Sequence, residues 1–88
     1  MTHVHEIDLS RQARRALKAM PRNVATQIRS KIDTLAGNPW APNPNVRKLI
    51  ARQGYRLRAG DWRVLFDIDN GRLVVLVLAI NPRGGAYQ

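Results

Sequence analysis

The stretch "YRLRAGDWRVLFDIDNGRLVVLVLAI", Tyr55 to Ile80, decides the fold. It holds three runs rich in branched and aromatic residues, "YRLRA", "WRVLFDI" and "RLVVLVLAI", separated by Gly60-Asp61 and Asn70-Gly71. Such runs read as strands, and both dipeptides suit two-residue hairpin loops. On that basis Arg58 pairs with Arg63, Leu57 with Val64 and Tyr55 with Phe66, and Phe66 then pairs with Val75 and Val64 with Val77. Opposed residues share a face and neighbours alternate. One face therefore collects Tyr55, Leu57, Trp62, Val64, Phe66, Ile68, Val75 and Val77. The other carries Arg56, Arg58 and Arg63 beside Leu65, Val74, Leu76 and Leu78. A slip of one residue would mix the two sets.

Upstream the pattern changes period. "VRKLI", from Val46, reads as a short strand, and "NPWAPNPN", Asn38 to Asn45, as an irregular proline-rich connection. Val24, Ile28, Ile32 and Leu35 form one helical stripe that Gly37 ends. Ala13, Ala16, Leu17 and Met20 form another, capped by Asp8 or Ser10, with Pro21 between the two helices. "VHEI", Val4 to Ile7, suggests an opening strand. Each helix has one apolar face, and the apolar side of the sheet is the surface that receives them. The expectation is an α+β fold, two N-terminal helices on one face of a small, mainly antiparallel sheet, as a single domain over residues 1–88.

Composition narrows the function. The chain of 88 residues has no cysteine, which removes disulfide and thiolate chemistry and favours a reducing cytoplasm. It has no apolar run of membrane-spanning length. The net charge is +9, carried mostly by arginine, since Lys18, Lys31 and Lys48 are the only lysines. A charge of that size favours a polyanionic partner. Three arginines converging near one hairpin repel unless solvent or an anion lies between them, and a phosphate is the natural anion for planar guanidinium forks. The outward helix arginines Arg14, Arg15, Arg22 and Arg29 suit contacts to RNA backbone, or are solvated surface. His3 and His5 have no carboxylates about them and read as a surface pair. The acids show no metal-ligand spacing, so no metal and no cofactor are expected. Trp62 belongs to the core by parity, and Trp40 packs over the sheet edge or stacks on a base.

"VRKLI…GYRLRAGDWRVLFDIDNGRLVVLVLAINPRGGAY" after two helices resembles the RelE/ParE superfamily of bacterial toxins, and within it the RelE branch more closely. The resemblance covers nearly the whole chain and rests on Leu49, the arginine hairpin, the valine-rich strand and a basic residue followed by a terminal tyrosine. It implies a RelE-like fold and a toxin that enters the ribosomal A site and cuts messenger RNA. It also implies a cognate antitoxin that neutralises the toxin, with operator DNA bound only through that complex. Carried over by position, it implies catalytic roles for Arg56, Arg58, Arg63, Arg83 and Tyr87. Lys48 and Arg52, just upstream of the hairpin, are further candidates for contact with the RNA. The relatives often keep lysine where this chain has Arg56 and Arg58. A guanidinium holds its proton, so the general base is left open between Tyr87 and neighbouring groups. With no third helix to cover the second face, part of the strip Leu65, Val74, Leu76 and Leu78 is expected to be exposed and to receive the antitoxin. The alternatives are a ParE-like, non-enzymatic inhibitor of DNA gyrase, a toxin that binds ribosomes without cutting, and a plain RNA-binding module.

Overall fold

Ser10 opens the first helix with a side chain that bonds in two directions. Its Oγ accepts from the Ala13 amide at 3.1 Å and donates to the Leu78 carbonyl at 2.7 Å. One residue thus caps a helix and pins it to the longest strand. The structure, a computed structural model, describes residues 5–82. Its elements are β1 (Glu6–Leu9), α1 (Arg11–Ala19), α2 (Arg22–Gly37), β2 (Val46–Lys48), β3 (Tyr55–Ala59), β4 (Trp62–Asp69) and β5 (Val74–Pro82). The five strands form one sheet in the order β1-β5-β4-β3-β2, antiparallel except for the parallel pair β1 and β5.

The opening strand runs two residues later than the sequence suggested. Asp8 sits within it opposite Leu76, so the cap falls to Ser10 alone. Parallel pairing with β5 selects this register, because it sets Ile7 and Leu9 against Val75 and Val77 on the helix side. His5, expected at the surface, is buried: its amide donates to the Ala36 carbonyl at the end of α2, at 2.9 Å. Neither ring nitrogen has a hydrogen-bond partner among the described residues. His3 lies outside those residues.

The first hairpin folds as expected, with Ala59 opposite Trp62 and Gly60 at φ +59° in the leading position of the turn. The second does not. Asp69 pairs with Val74, so the turn spans four residues, Asn70 to Leu73, with Leu73 itself left-handed at φ +55°. Phe66 accordingly faces Val77, not Val75. A bulge at Leu65/Phe66 then leaves Leu78 unpaired and sets Val64 opposite Ile80. The error is an even number of residues, so parity survives up to the bulge and the expected apolar face is real. It packs with α1 and α2 around Phe66, Ile28, Ile32, Leu57, Val64, Val75, Val77 and Ile80. Each such side chain contributes about 1.5–3 kcal/mol by leaving water. Trp62 is half-buried at the margin of this core.

β1 stops at Leu9, while β5 continues to Pro82. Gln12 of α1 fills the gap: its Oε1 accepts from the Ile80 amide at 2.8 Å and its Nε2 donates to the Ile80 carbonyl at 3.0 Å. The same Nε2 reaches Asn81 Oδ1 at 3.1 Å.

Candidate functional site

Strand alternation sends Arg56, Arg58 and Arg63 to the side of the sheet away from the helices, opposite Leu65, Arg63 and Asn81 respectively. Arg47, which the sequence reading passed over, joins them because β2 sets it opposite Arg56. Its signal was faint, since no turn dipeptide links β2 to β3 and fixes their register. That connection instead folds back on itself. The Leu49 amide donates to the Gly54 carbonyl at 3.0 Å, and Gln53 Nε2 donates to Asp67 Oδ2 at 3.0 Å. Gly54 allows this at φ +114°, where a Cβ would stand 3.0 Å from the Phe66 carbonyl oxygen. Ala51 is also left-handed at φ +66°, and Ile50 at the bend is 92% exposed.

The arginines divide into two groups instead of converging on one. Arg56 lines a cavity of about 330 Å³ with Arg47, Lys48 and Arg52 around Leu49, Ile50 and Leu65. Arg58 and Arg63 line another, of about 400 Å³, with Asn45, Asp61 and Lys31 from α2. Lys31 was invisible in the sequence because it reaches this edge from a different element. Arg63 is held in place, its Nη1 donating to the carbonyls of Gly60 at 3.2 Å and Trp62 at 3.1 Å. The one ion pair among the described residues is the exposed Arg72–Asp69 contact at 3.9 Å. None of the site cations forms an ion pair with a described carboxylate, although Asp61 lines the second cavity. Arg58 directly opposite Arg63 is a like-charged cross-strand pair, unfavourable until an anion bridges it. Arg83 and Tyr87 lie outside the described residues.

The apolar strip is largely closed. Leu65 and Val74 are each 4% exposed and Leu76 is half-buried, whereas Leu78 is 42% exposed at the bulge. The Leu49–Gln53 segment accounts for Leu65, which shares its cavity with Leu49 and Ile50. The exposed part anticipated within the strip is its end at Leu78. Trp40 is 54% exposed, packs edge-on against Tyr55 with ring centroids 6.3 Å apart, and donates from Nε1 to Asn70 Oδ1 at 3.3 Å. It thus sits at the end of the sheet where β3 begins and the second turn lies, and not over an edge strand. Arg14, Arg15, Arg22 and Arg29 are exposed on the helical side, apart from the sheet arginines. Three of them, Arg14, Arg22 and Arg29, border a groove between α1 and α2.

This architecture has close parallels. The chain is similar to RelE in the archaeal RelE–RelB complex from Pyrococcus horikoshii OT3, with a TM-score of 0.80 and 26% identity over 96% of this chain and 100% of that one. It superposes on a chain of the toxin–antitoxin complex RelBE2 from Mycobacterium tuberculosis with a TM-score of 0.77 and 21% identity, covering 92% of this chain and 100% of that one. For the YoeB dimer from Staphylococcus aureus the values are 0.74 and 16%, over 97% and 100%. No curated protein matches it in sequence. Residues 7–87 match the family described as the ParE toxin of the type II toxin–antitoxin system parDE. The chain belongs to that family, and with it to the RelE/ParE superfamily of type II toxins.

Proposed function

We propose that this toxin acts on translating ribosomes and cuts messenger RNA in the A site, without a metal, in the cytoplasm, and that a cognate antitoxin holds it inactive. The observation that carries the reading is the pair of arginine-lined cavities, one with Arg56 and one at the first hairpin with Arg58 and Arg63, whose cations form no ion pair with a described carboxylate. A phosphodiester in extended RNA offers successive anions to such a surface.

The reaction needs few protein groups. The ribose 2′-oxygen attacks the adjacent phosphorus, the bond to the 5′-oxygen breaks, and the proton lost by the 2′-hydroxyl is matched by one gained by the leaving oxygen. Arg58 and Arg63 suit the phosphate itself, since Arg63 is already fixed by its two carbonyl bonds and an anion relieves its repulsion with Arg58. Arg56, with Arg47, Lys48 and Arg52, suits the flanking phosphates. Arg83 and Tyr87, which follow β5, are proposed from the resemblance as a further clamp and as the proton-transfer or base-stacking group. A site this short of bases relies on the ribosome to align the hydroxyl.

Mapping messenger-RNA ends after brief induction tests this. New cuts inside translated regions should appear with the wild type. Cutting should fall about 10²- to 10³-fold with Arg63→Ala or Arg83→Ala, as when one fixed donor to a developing anion is removed. The family match to ParE favours one other reading, inhibition of DNA gyrase. Intact transcripts with inhibited supercoiling would establish it and sink the nuclease, and intact transcripts on stalled ribosomes would point to binding without cleavage.

A further inference from the structure

Asp61 is out of place at the tip of the first hairpin. It lines the cavity of Arg58, Arg63 and Lys31, where a carboxylate repels the phosphate those cations suit. The cations do not neutralise it either, since Asp61 forms no ion pair within the described residues. Nor does the turn demand the charge, because asparagine after glycine serves such a hairpin equally well. On the helix side of the same hairpin lies a further cavity, of about 200 Å³, which shares Lys31, Gly60 and Asp61 with the first. Val24 and Ile28 of α2 and Ala59 of β3 give it apolar walls, and Trp62 and Gln27 also line it. Trp62 is half-buried against the core, while Gln27, Lys31 and Asp61 are exposed.

Such a volume is below the roughly 300–1,000 Å³ of sites for drug-sized ligands and in scale with a single nucleobase. Apolar walls and an indole favour a planar ring by burial and stacking. Asp61 and Lys31 then choose among the bases, one accepting hydrogen bonds and the other donating them. Guanine answers both: its N1–H and N2–H donate in parallel to a carboxylate, and its O6 accepts from an ammonium. Adenine turns the N1 lone pair towards the same carboxylate, and the pyrimidines offer it one donor group beside an acceptor. The shared residues put the two cavities within reach of one nucleotide. Gly60, with open space where a Cβ would stand, leaves the way between them clear. We propose that the cavity between α2 and the first hairpin is a guanine pocket, taking the base of the nucleotide whose phosphate Arg58 and Arg63 hold. The inference rests on the RNA reading for the source of that guanosine, while the pocket's preference is measurable without a ribosome. Asp61 is then a specificity residue. Its carboxylate weakens the grip on any phosphate, and that loss is offset only when guanine fills the pocket.

The test titrates the full chain with inorganic phosphate, 5′-GMP and 5′-AMP, followed by its backbone and side-chain NMR spectrum. All three should shift the amides of Arg58 and Arg63. GMP alone should also shift the Trp62 indole N–H and the Gln27 side-chain amide. It should bind about tenfold or more tightly than AMP, the discrimination of one good bidentate pair. Asp61→Asn, which keeps the turn, should bring GMP down to the level of AMP and tighten inorganic phosphate. A carboxylate that served only the turn would leave the choice of base unmoved by this change. Gln27→Trp, which fills the pocket from an exposed position on α2, should likewise remove the difference between GMP and AMP. With RNA as the ligand, mapped transcript ends should lie next to guanine for the wild type and lose that bias in Asp61→Asn. The proposal is overturned if GMP and AMP bind alike, if GMP shifts neither Trp62 nor Gln27, or if Asp61→Asn still prefers GMP. GMP held in the pocket with cuts indifferent to guanine would overturn the assignment to RNA and point to a free nucleotide. A wild type that cuts no transcript would sink the nuclease reading and leave the mononucleotide result standing by itself.

Discussion

On one side of β4, Val64 and Phe66 face a closed interior under two helices; on the other, Arg63, Leu65 and Asp67 face a surface with no described helix over it. Alternate residues of one strand thus meet opposite conditions. On the helix side, selection is for volume and dryness, and the side chains there are branched or aromatic. On the open side, charge is sorted along the strands. Arg47, Arg56, Arg58 and Arg63 gather near the first hairpin with Asp61 the acid among them, while Asp67, Asp69, Glu6 and Asp8 gather towards the second turn and β1 with Arg72 the cation there. A polyanion meeting this face is drawn to one end and repelled from the other, so it is oriented as well as bound. The proposed function assigns recognition to the side of the sheet away from the helix-covered core.

That contrast can be broken most forcefully from the inside. Phe66→Ala should cost about 3–5 kcal/mol in chemical denaturation, because Phe66 is 1% exposed and stacks on Tyr55 at 5.5 Å. A loss under 1 kcal/mol would mean that the core is centred elsewhere. Gly54→Val comes next. It forces a branched side chain to φ +114° and towards the Phe66 carbonyl, and should cost about 1–3 kcal/mol in the same measurement. It also links the two sides, since the displaced Leu49–Gln53 segment would uncover Leu65. Ser10→Ala should lower stability by about 1 kcal/mol through the lost cap, seen as a reduced thermal midpoint.

On the open side the expected stability effects vanish while the functional ones grow. Arg56→Ala should change folding free energy by less than about 0.5 kcal/mol. Its RNA affinity should nonetheless fall, with the salt-dependence slope reduced by about one phosphate contact, measured by titration at several salt concentrations. Stability loss at Arg56 with unchanged RNA binding would erase the division of labour between the faces.

The helices, the core face and the first hairpin were legible because each has a local cause: a 3.6-residue stripe, a two-residue alternation, a glycine leading a tight turn. The second turn was misread because Asn70-Gly71 is a strong two-residue signal, and the left-handed Leu73 that lengthens the turn has no sequence signature. The bulge that exposes Leu78 was hidden for the same reason. Burial of His5 and the position of β1 depend on parallel pairing between the two ends of the chain, which no local pattern reports. Among the proposed site residues, Arg56, Arg58 and Arg63 were found by parity. Lys31 and Arg47 were missed because they arrive from elements whose placement only the folded chain reveals. The same non-local cause divided the expected single arginine cluster into two cavities.

Gln12 settles a different matter, the chain's behaviour in crowded solution. Where β1 gives out, the Ile80 peptide group would present an open rung to any passing strand, the kind of edge from which sheets of separate molecules join. The glutamine amide has the same donor and acceptor as a peptide group, and it occupies that rung from within the same molecule. An intruding strand must first evict a tethered competitor whose local concentration it cannot match. A side chain on a helix therefore acts as a built-in terminator of sheet growth.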